Sequence, residues 1–202
     1  MLPTDRAVIH SSQESDWVTP PALVAALKLL FPQPWWDVAA TRENSVGQLY
    51  YGPGSPLNEN GLAADWVPIT GPGDGGDGPP IHWLHWCNPP YARRSKDPTK
   101  RVDAWAEKCW ERSLAGCTVL GLFPYATQTA WFRQFVMGHT QEHRAMEVWR
   151  FPYRLHFLRP DGKTPAEGAG VNHCLILWRP YTDLFVEPWV PAERYFDYKR
   201  VQ

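Results

Sequence analysis

Four consecutive residues, Asn88-Pro89-Pro90-Tyr91, carry the densest chemistry in this chain. Two adjoining prolines fix φ at two positions and remove two backbone N–H groups, while their carbonyls stay as acceptors. Asn88 adds a side-chain carbonyl, and Tyr91 adds an aromatic face. A planar amine such as adenine N6 suits that corner. The Asn88 side-chain oxygen and the Pro89 carbonyl can hold its two N–H bonds. The nitrogen is then kept tetrahedral, and its lone pair is free to attack an electrophilic methyl. Acceptors placed there stabilise the positive charge that develops on nitrogen, and Tyr91 is expected to stack on the base. The same four residues also read as a plain Pro-Pro turn whose tyrosine packs under a sheet.

Other segments must position this corner. An apolar run, Ile81 to Cys87, reads as a strand leading into it. A basic segment leads out, with Arg93, Arg94, Lys96, Lys100 and Arg101 opposed only by Asp97. Such a stretch beside a base pocket is placed to meet a nucleic-acid backbone. Trp35 to Ala40 reads as a short buried strand with Asp37 near its end and small residues after it. An acid there suits the amino group of a ligand whose backbone passes close, and equally reads as a structural Asp capping the next segment. Thr19 reads as the N-cap, and Pro20 as the first position, of a helix with Leu23, Val24, Leu27, Leu30 and Phe31 on one face. The N–H groups at its start suit a carboxylate.

The chain has 202 residues, a net charge of −1 and 20% charged residues. Its length favours one domain with its own core. The near-neutral charge gives no global basic field, so a nucleic acid must be held by a local patch. The 12 tryptophans exceed ordinary core needs and leave some for stacking. Cys87, Cys109, Cys117 and Cys174 form no C-x-x-C pair and lie in or beside apolar runs. Buried free thiols in a reducing, cytoplasmic compartment are expected. No metal site is expected, and no apolar run reaches the length of a membrane span.

Residues 1–15 read as a loose N-terminus, 71–80 as a flexible Gly/Pro loop and 179–202 as a tail packing back on the domain. Strands are also expected at Gln48 to Tyr51, Cys117 to Phe123, Ala145 to Phe151, Tyr153 to Leu158 and Val171 to Trp178. Helices are expected from Val102 to Ala115 and after a Thr127 or Thr129 cap. The connection from Arg159 to Gly170 reads as a lid or a DNA-facing loop. Seven strands with interleaved helices imply an α/β fold, with a mostly parallel seven-stranded sheet ending in an antiparallel hairpin. Ligands of such sheets sit at the carboxyl ends of strands, where Asp37 and Asn88 both fall.

These features in order resemble the S-adenosylmethionine-dependent methyltransferases of nucleic-acid amines, and more narrowly the phage and prophage-type DNA N6-adenine methyltransferases. The matching residues are Trp17 with Thr19-Pro20, Asp37-Val38-Ala39-Ala40, Asn44, Gly61-Leu62 with Trp66, Cys87 to Tyr91, Pro124 with Trp131-Phe132, and Arg154 to Phe157. They span Ser12 to Trp178. The resemblance implies a class I methyltransferase (Rossmann-like) fold, S-adenosyl-L-methionine as cofactor and DNA as partner. It implies cofactor contacts from Trp17, Thr19, Pro20, Asp37, Ala39, Leu62 and Asp65. Asn88, Pro89, Pro90 and Tyr91 are then catalytic on a flipped base, with Arg93, Arg94 and Phe157 holding the substrate. The chain departs from the pattern in having alanines where a Gly-x-Gly follows the first strand. It also has no length for a separate target-recognition domain. Cytosine N4, RNA adenine or a glutamine amide are alternative acceptors for the same chemistry. A non-catalytic nucleic-acid binder is a further alternative.

Overall fold

A computed structural model describes residues 17–70, 80–91, 95–138, 147–159, 161–166, 171–180, 192–197 and 199. The expected loose terminus, most of the Gly/Pro loop, Arg93 and Arg94 lie outside the described residues.

The first helix, α1 (Pro21–Leu30), turns Leu23, Ala26 and Leu27 inward. Pro20 occupies its N-cap, and no side chain caps it. The expected Thr19 cap is therefore corrected. The Thr19 hydroxyl accepts a hydrogen bond from Asn88 Nδ2 at 2.9 Å instead, and a second proline at the helix start leaves one fewer N–H to satisfy.

Strand β1 (Trp35–Asp37) pairs in parallel with β2 (Leu49–Tyr50). The run from Ile81 to Cys87 divides in two. Its first part, β4 (Ile81–His82), forms a separate antiparallel pair with β3 (Ile69–Thr70). Its second part, β5 (Leu84–Cys87), joins the other side of β1 in parallel. Next come β6 (Thr118–Pro124), β7 (Glu147–Arg150), β8 (His173–Trp178) and β9 (Ala192–Tyr195). The seven-stranded sheet has the order β2-β1-β5-β6-β8-β7-β9. Only β8 runs against the rest, so the sheet is mostly parallel with an antiparallel insertion.

Two expectations about this end are corrected. Tyr153 to Leu158 forms no strand; only Leu158 makes isolated bridges, to Val18 and Pro165. Its backbone exchanges hydrogen bonds of 2.8 and 3.0 Å with Val18, so this stretch ties down the N-terminal segment rather than extending the sheet. The antiparallel partners of β8 are β6 and β7, and β9 emerges from the expected tail to pair in parallel with β7. The described part of the expected lid is a closed turn, with Arg159 N–H bonded to the Thr164 carbonyl and Ala166 N–H to that of Phe157.

Period-2 alternation sends side chains to opposite sheet faces. Leu84, Trp86, Leu120, Leu122, Leu175 and Leu177 pack under α1 on one face. Trp36, Cys87, Val119, Phe123, Cys174, Ile176 and Trp178 pack on the other, against Trp105 and Cys109 of α2 (Val102–Leu114). Burial on both faces is why these strands read as near-continuous apolar runs. His85 lies in this core between the Trp36 and Trp66 rings, and burial pushes its pKa down to about 4, so it is neutral at pH 7. All four cysteines are free and buried. Among the described residues no helix is long and apolar enough to cross a membrane.

One loop closes onto the sheet through glycine. Trp66 Nε1 donates to the Gly61 carbonyl at 2.8 Å. A Cβ at Gly61 would lie 1.9 Å from the Val38 carbonyl oxygen and 2.9 Å from the Trp105 ring. Gly61→Ala is expected to destabilise the fold by about 1–3 kcal/mol through overpacking. Urea unfolding checks this, and an unchanged midpoint would contradict the packing described.

Candidate active site

The chain steps from β1 to β2 on one side and later to β5 on the other. That reversal is the topological switch point at which open α/β sheets hold ligands. A cleft of about 240 Å³ opens there. The segment after β1, from Asp37 to Thr41, forms one side. Trp17 and Thr19 come from the N-terminal segment, and Asn88 and Pro90 from the turn after β5. Gly52, Glu59, Asn60, Gly61, Thr99, Lys100 and Trp105 add to the wall.

Asp37 ends β1 and is 3% exposed. Its carboxylate accepts N–H bonds from Val46 at 3.1 Å and Ala39 at 3.3 Å. Burial nevertheless pushes its pKa up to about 7, against the opposing pull of those N–H groups and of Lys28. A buried acid facing a cleft in this state is suited to a cationic group. Close backbone approach around it does not come from a Gly-x-Gly. Small Ala39 and Ala40 supply it, with Gly52 and Gly61 from other segments. Gly52 has φ +138°, and a Cβ there would lie 1.8 Å from the Ala40 carbonyl oxygen.

Asn88 sits at the rim, held from both sides. Its Nδ2 donates to Thr19 Oγ1 at 2.9 Å, and its Oδ1 lies 2.5 Å from the Tyr91 hydroxyl. That hydroxyl is also 2.6 Å from the Leu122 carbonyl oxygen. Tyr91 is thus turned toward the sheet rather than lining the cleft. Its ring lies 5.4 Å from His173 and 6.4 Å from Phe157, centroid to centroid. Phe157 in turn stacks on Trp17 at 5.7 Å. Burial holds the Tyr91 hydroxyl well above its ordinary pKa and pushes His173 down to about 4, leaving both neutral.

The cleft therefore brings together Trp17, Thr19, Asp37, Ala39, Asn88 and Pro90. Pro89 is buried beneath the turn, and Pro20 is taken up by the start of α1. Phe157 is 1% exposed and lies behind Trp17. Leu62 and Asp65 do not line the cleft. Leu62 packs partly buried against the core, and Asp65 turns outward to Arg112 at 2.8 Å. Trp66, next to Asp65, is fully buried, and Arg112 also donates to its carbonyl at 2.7 Å. The place of Leu62 and Asp65 at the wall is taken by Asn60 and Gly61. Sequence reasoning missed Gly52, Glu59, Asn60, Thr99 and Trp105 as wall residues. Trp105 read only as the apolar face of a helix. Its Nε1 in fact reaches back to the Thr99 carbonyl at 2.8 Å and joins helix and turn into one wall.

The structure defines a mixed α/β domain whose mostly parallel sheet carries a buried carboxyl and an amide-bearing turn at one cleft. Its family follows from comparison: the model of the DNA N-6-adenine-methyltransferase (Dam) family matches residues 7–194, and the chain belongs to that family. No curated protein and no solved structure matched the chain.

Asp37 gives the site a pH signature. The carboxyl titrates near 7 when folded and near about 3.9 in an unfolded chain. Between those values the folded protein holds a proton that the unfolded chain has lost. Stability without ligand should therefore fall as pH rises from about 4 to about 7. Asp37→Asn should flatten that slope. Urea midpoints across the range measure it, and equal slopes in the two proteins would contradict the assignment.

Proposed function

We propose that this chain transfers the methyl group of S-adenosylmethionine to N6 of adenine in DNA, on a base flipped out of the helix, using a class I methyltransferase fold. The observation that carries this reading is that Asn88 and Pro90 open onto the same cleft as Asp37. The reversed β8 beside a parallel sheet with a single switch point supports the fold. The family description supports DNA and adenine N6, and with them the chemistry of an amine over that of a carbonyl.

The residues present fit the methyl donor. A buried carboxyl with a raised pKa suits an ammonium, and Trp17 Nε1 is buried with no hydrogen-bond partner among the described residues, leaving a donor for a ligand acceptor. Asp37 would hold the amino group, Trp17 and Thr19 the carboxylate end, and the wall at Asn60 and Gly61 the adenosine. Bound there, S-adenosylmethionine supplies an electrophilic methyl group on a sulfonium. Asn88 Oδ1 and the carbonyl of Pro89, a residue buried in the turn, which must open to expose it, would accept the two N–H bonds of the target amine and direct its lone pair into the cleft. Positive charge develops on that nitrogen during attack, and the two oxygens stabilise it. No strong base is required, because the methylated nitrogen is acidic until it loses its proton. Tyr91 leaves Asn88 Oδ1 as the amine arrives, and its ring then stacks on the base with Phe157 behind it. Lys100 at the rim meets the phosphates, and Arg93 and Arg94 are assigned the same role from the sequence. Four buried free thiols fit a reducing, cytoplasmic setting.

Incubation with labelled S-adenosylmethionine and DNA, followed by nucleoside mass spectrometry, should give N6-methyladenine. Label on N4-methylcytosine alone would reject the assignment. Asn88→Ala should lower turnover by about 10²-fold or more with cofactor binding retained. Near-normal turnover would remove the turn from the mechanism.

A further inference from the structure

The protons around Asn88 do not balance in one orientation of its amide. The Tyr91 hydroxyl has a single proton, yet it lies 2.5 Å from Asn88 Oδ1 and 2.6 Å from the Leu122 carbonyl oxygen. Both are acceptors without hydrogens, so one contact sets lone pairs against lone pairs. Turning the amide by 180° resolves the count. Tyr91 then donates to Leu122 and accepts from Asn88 Nδ2. The Asn88 oxygen moves to the Thr19 side, where the Thr19 hydroxyl donates to it. Thr19 permits both arrangements because a hydroxyl either donates or accepts.

Thr19 is 5% exposed, and it lines the cleft as well as touching Asn88. We infer that the Asn88 amide is a two-state element set by the Thr19 proton, making Thr19 a positioning residue that couples the cleft ligand to base choice. The orientation described above, with Nδ2 on Thr19, is the one the ligand selects. Without a ligand the turned amide balances the protons, with Thr19 donating to the Asn88 oxygen and holding it away from the target. When an acceptor in the cleft takes the Thr19 proton, Thr19 only accepts, and Asn88 Nδ2 must face it. The Asn88 oxygen then lies on the Tyr91 side, where the amine takes the place of the Tyr91 hydroxyl. The turn therefore presents a donor before the ligand binds and an acceptor afterwards. This rests on the proposed function, which places a carboxylate-bearing ligand in that cleft.

The test measures affinity for short oligonucleotides of deoxyadenosine or deoxyinosine, with and without S-adenosylhomocysteine. The two bases differ in carrying an amine or a carbonyl at position 6. S-adenosylhomocysteine should raise the preference for deoxyadenosine by about fivefold or more, the scale of one hydrogen bond regained. Thr19→Val should abolish that shift, and Thr19→Ser should restore it. Titration with S-adenosylhomocysteine alone confirms occupancy in each variant. A wild-type protein that binds both partners with no change of preference overturns the switch and leaves the methyltransferase reading intact. A shift that persists in Thr19→Val overturns the role of Thr19. A chain that binds neither S-adenosylhomocysteine nor DNA overturns the functional reading and the switch together.

Discussion

Strands β1 and β5 lie side by side in parallel, and the chain leaves them toward opposite edges of the sheet. Everything at the site follows from that geometry. The register sets Asp37 opposite Trp86, so Asn88 stands two residues beyond the partner of the buried acid. Both side chains then border one cleft, although 50 residues of chain separate them. Parallel neighbours cannot be joined by a tight turn. The long connection between them contributes the Gly52 and Gly61 walls, where backbone packs so closely that a methyl group has no room.

The second constraint is the return of the N-terminal segment. Val18 and Leu158 exchange backbone hydrogen bonds, and Trp17 stacks on Phe157. These contacts carry Thr19 over the turn to meet Asn88. A residue that would ordinarily cap a helix is thereby used to hold an amide. The aromatic group of Trp17, Phe157, Tyr91 and His173 lies along the same seam. Burial keeps its titratable members neutral, so the environment behind the turn is apolar. In such surroundings hydrogen-bond geometry at Asn88 counts for more than it would in water.

Much of this was legible in the sequence where pattern and burial coincide. The runs around Trp35, Trp86 and Leu120 read as strands because both of their faces are covered. Asp37 and Asn88 were legible as strand-end residues, since small or proline residues follow each. Tyr153 to Leu158 alternates like a strand, yet its backbone partners are one N-terminal residue and its own following turn. Local pattern does not encode which distant segment supplies the partner. β9 was hidden for the converse reason, because Ala192 to Tyr195 has a weak apolar signal and its partner β7 lies far upstream. Leu62 and Asp65 were expected at the cleft from the family resemblance. In the structure Leu62 packs against the core and Asp65 pairs with Arg112, so neither lines the cleft. The use of Thr19 was invisible, because a Thr-Pro before an apolar period reads as a cap whatever its hydroxyl touches.

The central claim is that the buried acid and the proline-locked turn serve a single ligand pair. A crystal structure of the protein with S-adenosylhomocysteine tests it most directly. The account predicts the ligand in the cleft, its amino group on Asp37 and its sulfur facing Asn88. A ligand bound elsewhere, or one whose sulfur points away from Asn88, would contradict it.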